Sequence, residues 1–143
     1  MGLPVKLLGD QVRLQQVLIN LTKNALKFTH RGKIIILAAY DYSNEILQVQ
    51  ISDSGKGIKE NEMRQLFTLF GKLERTEDSN PDGIGMGLTI CQKIIQNCEG
   101  KIEVFSEGEN KGTTFFFQIP MSQPLDIKKT FGGSLLAQFE KPP

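Results

Sequence analysis

The chain has 143 residues, enough for one domain with a core of its own, and 39% of them are hydrophobic, as in ordinary soluble globular proteins. Lys and Arg number 17 against 16 Asp and Glu, so there is no bulk charge to attract nucleic acid or an anionic membrane, and any phosphate binding has to be local. No apolar run reaches the roughly 18 residues of a membrane helix, so we expect a cytoplasmic domain without direct membrane contact, whether or not its parent chain is membrane-anchored.

The first long element in the chain is predicted to be an amphipathic helix. Val5 to Leu8 indicates a short strand that ends at Gly9, and Asp10 is a suitable N-cap for a helix from Gln11 to about Thr29. Apolar residues recur along it at three- and four-residue spacing and form one stripe: Leu14, Val17, Leu18, Leu21, Ala25 and Phe28. The stripe predicts that one face of this helix packs on the core.

A polar row borders the apolar stripe of this helix. Asn20, Asn24 and Lys27 fall within about 60° of one another around the helix axis. Asn is a poor choice for a helix interior, because its amide competes for backbone hydrogen bonds. The row is either a solvated side of the helix or a site where amide oxygens bind Mg²⁺ and the lysine binds phosphate, and the helix alone leaves both interpretations open.

Two β-rich segments follow the helix. Lys33 to Asp41 and Glu45 to Asp53 are joined by a short polar turn, which predicts an antiparallel hairpin. In the second segment the odd positions are apolar, so period two points Asp53 toward the core. A carboxylate there is costly to bury unless donors meet it.

The glycines after this carboxylate allow two interpretations. Gly55 and Gly57 give a backbone that turns sharply and lets another group come close. Asp53 is then either the start of an Asx-turn that its own loop satisfies, or the acceptor for a ligand donor such as the exocyclic amine of adenine.

The second half of the chain alternates helices, a loop and a hairpin. The predicted segments in order are a helix from Lys59 to about Phe67, a mobile loop from Gly71 to Asp82, a helix from Gly87 to about Asn97, and strands from Lys101 to Ser106 and from Thr113 to Ile119. Residues 1–121 are predicted to form the domain, and residues 122–143 a C-terminal tail or linker. We predict an α+β fold, a two-layer sandwich in which helices cover one face of a mixed, mostly antiparallel sheet.

The later helix carries both cysteines. Its predicted inner side consists of Leu88, Cys91, Ile94, Ile95 and Cys98. Seven residues of helix separate the two sulfurs by about 10 Å, which is too far for a disulfide and favours a reducing compartment. The glycines before the helix, Gly83, Gly85 and Gly87, alternate and follow a loop, which disfavours a Rossmann site and suits a hinge that offers N–H groups to phosphates.

Taken in order, these segments resemble the ATP-binding catalytic domain of sensor histidine kinases, part of the wider group of gyrase, heat-shock chaperone and mismatch-repair ATPases with the Bergerat-type fold. The resemblance runs from about Leu7 to Pro120. The segments that match its asparagine box, first glycine box, phenylalanine box, second glycine box and last box are Gln16–Thr29, Asp53–Ile58, Phe67–Phe70, Gly83–Leu88 and Gly112–Phe115.

The resemblance implies that ATP and Mg²⁺ bind here. Asn24 would ligate the metal, with Asn20 beside it, and Lys27 would contact phosphate; these three are the expected catalytic residues. Phe28 would line the nucleotide pocket and Asp53 would accept from adenine. The other residues expected at the nucleotide are Gly55, Gly57, Ile58, Phe70, Lys72, Arg75, Gly83, Ile84, Gly85, Met86, Gly87, Leu88, Thr113 and Thr114. Residues 71–84 would form a lid over the ATP, hinged at the second glycine box.

One departure from the wider group favours phosphoryl transfer over hydrolysis. Where the ATP-hydrolysing relatives carry a glutamate base one turn before the metal-binding Asn, this chain has Asn20, which cannot accept a proton. His30, the single histidine, lies in no matching motif and is not expected to be a phosphoacceptor. The resemblance therefore implies a histidine protein kinase whose isolated catalytic domain is nearly inactive.

The resemblance also implies the partners. These are a histidine-bearing dimerisation domain of the parent chain and a downstream response-regulator receiver domain, with a monomeric isolated domain inside a homodimeric parent. Three alternatives stay open at this point: a mitochondrial-type serine kinase of similar fold, a hydrolysing molecular clamp, and a pseudo-enzyme that binds nucleotide as a regulatory ligand.

Overall fold

The computed structural model describes residues 2–69 and 85–125 of the chain. Within these ranges the elements in order are α1 Gln11–Phe28, β1 Ile34–Asp41, β2 Ile46–Asp53, α2 Glu60–Leu69, α3 Gly85–Asn97, β3 Lys101–Phe105 and β4 Thr113–Pro120. No helix in this part of the chain is long and apolar enough to cross a membrane. Several predictions fall outside the described residues: the lid 71–84, the site residues Phe70, Lys72, Arg75, Gly83 and Ile84, and the tail beyond residue 125.

The four strands form one sheet in the order β1-β2-β4-β3, and its three pairs are all antiparallel. β2 therefore lies inside the sheet, with β1 on one side and β4 on the other. At its end, Asp53 lies opposite Ile34 of β1 and Thr113 of β4. The helices pack on one face of this sheet, which confirms the predicted two-layer α+β fold.

The core lies between the sheet and the helices. β2 and β4 alternate buried with half-buried residues, as strands do when one face is covered. The largest fully buried side chains are Phe117, Leu21, Ile51, Leu88, Ile95, Val17, Val104 and Cys91. α1 and α3 thus supply the helical side of the core from the faces that their periodicity predicts.

Asp10 caps the first turn of α1, as predicted. Its backbone is extended, at φ −84° and ψ 97°, and its Oδ1 accepts from the N–H of Arg13 at 3.1 Å. We expect Asp10→Ala to lower the free energy of unfolding by about 1 kcal/mol, because an N–H of the first turn loses its acceptor. Urea denaturation measures the loss. Asp10→Ser should recover most of it, and an equal loss in the serine variant would contradict this origin.

One predicted element is wrong, and the others shift by one or two residues at their ends. Val5 to Leu8 is not a strand, and Val5 is 98% exposed. The N–H of Leu8 donates to the carbonyl of Ser122 at 2.8 Å, where a strand would have a ladder of backbone hydrogen bonds to a neighbouring strand. The apolar composition of this segment predicts a strand only if a partner strand lies alongside. α1 ends at Phe28, because Thr29 is already extended.

Candidate functional site

The site predicted around Asp53 lies at one end of the sheet. Asp53 is half-buried and is on the same face as Val49 and Ile51, as period two predicts. Its Oδ1 accepts from the N–H of Gly55 at 2.9 Å. Among residues 2–69 and 85–125, no donor meets the other carboxylate oxygen, Oδ2. Asp53 can therefore close the Asx-turn with Oδ1 and still present Oδ2 to a ligand, so the two interpretations are compatible.

The first glycine box is held between α1 and the turn that joins β3 to β4. The N–H of Lys56 donates to the carbonyl of Phe28 at 3.0 Å, at the end of α1. On the other side, the carbonyl of Lys56 accepts from Asn110 at 2.7 Å, and that of Gly55 accepts from Gly112 at 3.2 Å. These bonds place the asparagine helix, the first glycine box and the last box side by side.

The glycines of these two boxes are required by packing inside the protein. A Cβ on Gly55 would overlap the carbonyl oxygen of Phe28, and one on Gly57 would overlap that of Gly108. Gly57 and Gly112 also have positive φ, at +67° and +76°, where a side chain is strained. The resemblance implies that Gly55 and Gly57 leave space for adenine. The contacts in the structure show that both glycines also allow the loop to pack closely against Phe28 and Gly108.

A cleft of about 720 Å³ opens beside Asp53. It is lined by Asp53, Met63, Val104, Phe105, Ser106, Glu107, Lys111, Gly112, Thr113 and Thr114. Its size falls within the range of small-molecule sites. Met63 and Lys111 are lining residues that the sequence analysis missed, since neither lies in a box, and no local pattern singles them out.

Thr113 and Thr114 lie on opposite faces of β4. Thr113 is 8% exposed and lies opposite Asp53 on the helix-covered side. The hydroxyl of Thr114 shares a hydrogen bond of 3.0 Å with that of Ser52, on the outer face of the sheet. Of the two predicted residues, Thr113 is therefore the one that shares a face with the carboxylate.

The polar row of α1 points toward the start of α3. Asn20 lies beside Cys91, whose thiol donates to the carbonyl of Val17 at 3.8 Å, and the Cβ of Asn20 is 3.9 Å from the position that a Cβ on Gly87 would take. Gly85 and Met86 open α3 just before this contact. Asn20 and the end of the second glycine box are thus adjacent.

One turn further along α1, the amide Nδ2 of Asn24 is buried and has no hydrogen-bond partner among the described residues. A buried polar group without a partner costs free energy, so such groups are rare in folded proteins. The oxygen and nitrogen of an Asn amide exchange places by a flip, so the unpartnered position suits a donor or an acceptor. This orphaned amide marks a place where a ligand would complete the hydrogen bonding.

Two lysines flank the ring of Phe28. The Nζ of Lys56 is 4.4 Å from the ring centroid, and that of Lys27 is 5.5 Å from it. Cations at these distances are attracted by the face of the ring. The end of α1 therefore carries the local positive charge that phosphate binding needs in a chain of formal net charge +1. Lys56, which the sequence analysis missed, lies inside the first glycine box, and its position between two glycines is the signal that points to it.

Two other predicted nucleotide residues belong to the core. Ile58 is 3% exposed and Leu88 is 2% exposed, and both are part of the buried hydrophobic cluster. Their side chains support the loop and helix that carry the neighbouring glycines.

A model of the family described as histidine kinase-, DNA gyrase B- and HSP90-like ATPase matches residues 9–123. The chain belongs to this ATPase family. The match covers all five boxes on which the sequence resemblance depends, and it confirms that resemblance.

The proteins to which the chain is similar include a sensory kinase and a histidine-protein kinase. The adaptive-response sensory kinase SasA of Synechococcus sp. CC9311 is 42% identical over 118 residues, which are 82% of this chain and 30% of SasA. The signal transduction histidine-protein kinase BarA of Escherichia coli is 39% identical over 81% of this chain and 13% of BarA. The chain therefore spans less than a third of the length of these relatives.

A solved structure shares the fold of this chain. Full-length ShkA in complex with AMPPNP superposes with a TM-score of 0.70 and 28% identity, over 86% of this chain and 24% of ShkA. The chain is thus a catalytic, ATP-binding domain of the histidine kinase type.

The residues present fit a Mg²⁺ ion held together with a nucleotide. The amide oxygen of Asn24 is the donor type that Mg²⁺ prefers, and a flip of the amide would bring this oxygen to the buried position of Nδ2, which has no partner among the described residues. No group of three or more His, Cys, Asp or Glu side chains among the described residues could hold a metal ion by itself. A Mg²⁺ ion at this site would therefore need the phosphates of the nucleotide and water as further ligands.

The Cys91 thiol behind Asn20 gives a prediction on pH dependence. Burial raises the pKa of this thiol from 9.0 to about 11, although the polar side chain of Asn20 beside it acts in the opposite direction. In the unfolded chain the thiol loses its proton above about pH 9, whereas in the folded chain it keeps the proton up to about pH 11. Between pH 9 and 11 the unfolded state therefore binds fewer protons than the folded state. The thiol's contribution to stability is thus complete below pH 9 and declines as the pH rises toward 11.

We expect this contribution to fall by on the order of 1 kcal/mol between pH 7 and pH 10. Urea denaturation of the wild type and Cys91→Ala at both pH values isolates it, because other titrating groups are common to the two proteins. The stability gap between them should narrow at pH 10. A gap that stays constant would contradict the raised pKa.

Proposed function

We propose that this domain positions Mg-ATP so that the γ-phosphoryl group passes to a histidine on a separate dimerisation domain, in two-component signal transduction. The proposal rests on the amide of Asn24, whose Nδ2 is buried and has no hydrogen-bond partner among the described residues. A bound ligand would complete the hydrogen bonding of this amide. Asn20 and Lys27 extend the same row of α1 on either side of it.

The two ends of the nucleotide would meet different chemistry. The unpaired Oδ2 of Asp53 would accept from the exocyclic amine of adenine, inside the cleft beside β2 and β4. Lys27 and Lys56, at the end of α1, would attract the phosphates. Mg²⁺, held by Asn24, would neutralise phosphate charge. Positioning and charge neutralisation are the main demands of phosphoryl transfer.

The surroundings of Asn20 support transfer over hydrolysis. A hydrolase needs a base that can take a proton from water, and an amide cannot do this. The side chain of Asn20 lies beside Cys91 and Gly87, between α1 and α3. We infer that Asn20 shapes the metal side of the site, and that the isolated domain turns over ATP very slowly.

The proposal is tested in two steps with the whole 143-residue chain. Calorimetric titration with ATP, with and without Mg²⁺, should show binding that the metal strengthens. Adding the histidine-bearing helical hairpin of the parent protein with labelled ATP should then yield an acid-labile phosphate on the hairpin, and a variant hairpin with His replaced by Gln should stay unlabelled.

Each of the alternative results would indicate a different function for this domain. Binding without transfer would indicate a nucleotide-binding module. An acid-stable phosphate on serine would indicate the alternative kinase chemistry. Rapid release of inorganic phosphate by the chain alone would indicate a hydrolase, and the absence of nucleotide binding would overturn the proposal entirely.

A further inference from the structure

Among the strands that the structure describes, β1 lies at one edge of the sheet, and this edge lacks the features that normally protect an edge strand. Ile34 to Tyr40 contains seven apolar residues in a row, with no charge, glycine or proline among them. Ile35 is 41% exposed, Ile36 is 51% exposed and Leu37 is 56% exposed. Long, apolar, uncovered edge strands tend to pair with another strand, and proteins usually block them with charges, prolines or short length.

The opposite edge of the sheet has that protection. β3 has only five residues, and it carries Lys101 and Glu103, both of them exposed. The two edges of one sheet therefore differ, and the apolar one is β1.

The outer face of β1 also contrasts with that of its neighbour. On this face β2 presents Gln48, Gln50 and Ser52, the polar side chains expected in contact with water. Directly beside them, β1 presents Ile35 and Leu37. A strand that faced only water would continue the polar pattern, so β1 is suited to contact with a further strand.

Backbone geometry fixes which residues of β1 have unpaired groups. The N–H of Lys33 donates to Ser54, and its carbonyl accepts from Ser54, so Lys33 points toward β2. Alternation along the strand then turns the N–H and C=O of Ile34, Ile36, Ala38 and Tyr40 toward the free edge.

We propose that a second copy of this chain pairs with β1 antiparallel, with Leu37 opposite Leu37 on the two-fold axis. This register places Ile36 opposite Ala38 and Ile34 opposite Tyr40, so all the outward groups pair, in about eight backbone hydrogen bonds. The two four-stranded sheets become one continuous sheet. A two-fold pairing of this kind closes on itself.

Charge complementarity favours the second copy as occupant of this edge. In the same register, Lys33 of one copy lies opposite Asp41 of the other, at both ends of the paired strands. Asn44 donates a side-chain hydrogen bond to Asp41 and holds the pKa of that carboxyl below its usual range, so the group is charged at neutral pH. Opposite charges in directly facing positions stabilise an antiparallel pair. This pairing departs from the monomer that the family resemblance implies for the isolated domain.

Sedimentation velocity of the 143-residue chain, from micromolar to near-millimolar concentration, tests the proposal. We expect a reversible dimer. Leu37→Lys should raise its dissociation constant about tenfold or more, because two ammonium groups would face each other on the axis. Ile36→Pro should do the same by removing an outward N–H while leaving the ladder to β2 intact. A chain that stays monomeric throughout would overturn the proposal.

Phe105→Lys is the matched control, since Phe105 is also 56% exposed but lies on the other edge strand. It should leave the dissociation constant unchanged within about twofold. A dimer that resists both β1 variants and dissociates in the control would assign the interface to β3 and contradict ours. Unfolding curves of each variant establish that it is folded.

A cross-link tests the register without charging the edge. Cys91 is buried and Cys98 is half-buried, so a Cys98→Ser background lowers competing reactions. In it, Leu37→Cys should form a disulfide-linked dimer on mild oxidation, because facing residues of a non-hydrogen-bonded pair have Cα atoms about 4.5 Å apart. Ile35→Cys should not, since Ile35 would face Ala39. Equal cross-linking of the two variants would contradict the register.

Discussion

Asn24→Ala should reduce phosphoryl transfer to the histidine-bearing hairpin by about a hundredfold or more, without destabilising the domain. Under our proposal Asn24 holds Mg²⁺, so the variant loses the group that fixes the metal against the phosphates. Its buried Nδ2 has no partner among the described residues, so the alanine variant removes no hydrogen bond of this atom there. Labelled-ATP transfer measures the first effect and urea denaturation the second.

The combination of the two results is what identifies a binding role. Asn97→Ala makes the same chemical change at an exposed position at the end of α3, and it should alter neither transfer nor the Mg²⁺ dependence of ATP affinity. If Asn24→Ala instead unfolded the domain, the amide would have a structural role. If its ATP affinity responded to Mg²⁺ as the wild type does, the metal assignment would be wrong.

Asp53→Asn should weaken ATP binding by about tenfold to a hundredfold, as expected when a charged hydrogen-bond acceptor is lost. The change is nearly isosteric, and the amide oxygen can still accept from Gly55 N–H, so the glycine loop should keep its shape. The amide nitrogen would then occupy the place of Oδ2 and present a donor to the donor of adenine. Calorimetry with ATP measures the loss.

Asp41→Asn is the matched control for this change, at the other end of the sheet in the hairpin between β1 and β2. It should leave ATP affinity unchanged within about twofold. Guanine nucleotides give a further check, because guanine carries a carbonyl oxygen, an acceptor, where adenine carries its amino group. Asp53→Asn should therefore reduce the ratio of ATP affinity to GTP affinity. Unchanged affinity and unchanged preference would both count against the adenine assignment.

The sequence predicted most elements of the fold correctly, because their patterns are local. The three-and-four spacing of α1 and the alternation of β2 each need only a dozen neighbouring residues to be recognised. Val5 to Leu8 failed because the predicted strand depended on a partner that short-range patterns cannot supply.

The candidate site was predicted unevenly for the same reason. The boxes pointed to Asn24 and Asp53. Lys56 lies in a box but was not singled out until its contact with Phe28 was seen, whereas Met63 and Lys111 became apparent only from their positions in the cleft. The predicted lid lies outside the described residues, and its role in nucleotide binding stays a prediction.

The sequence by itself determined the class of the domain and the order of the boxes that resemble those of its family, since both depend on residue type and spacing. Only the tertiary structure decided why Gly55 and Gly57 must be glycine, which threonine shares a face with Asp53, and which of the described strands lie at the edges of the sheet. Each of these depends on which backbone lies within a few ångströms of another. Residues far apart in the chain create those contacts, so no local pattern contains them.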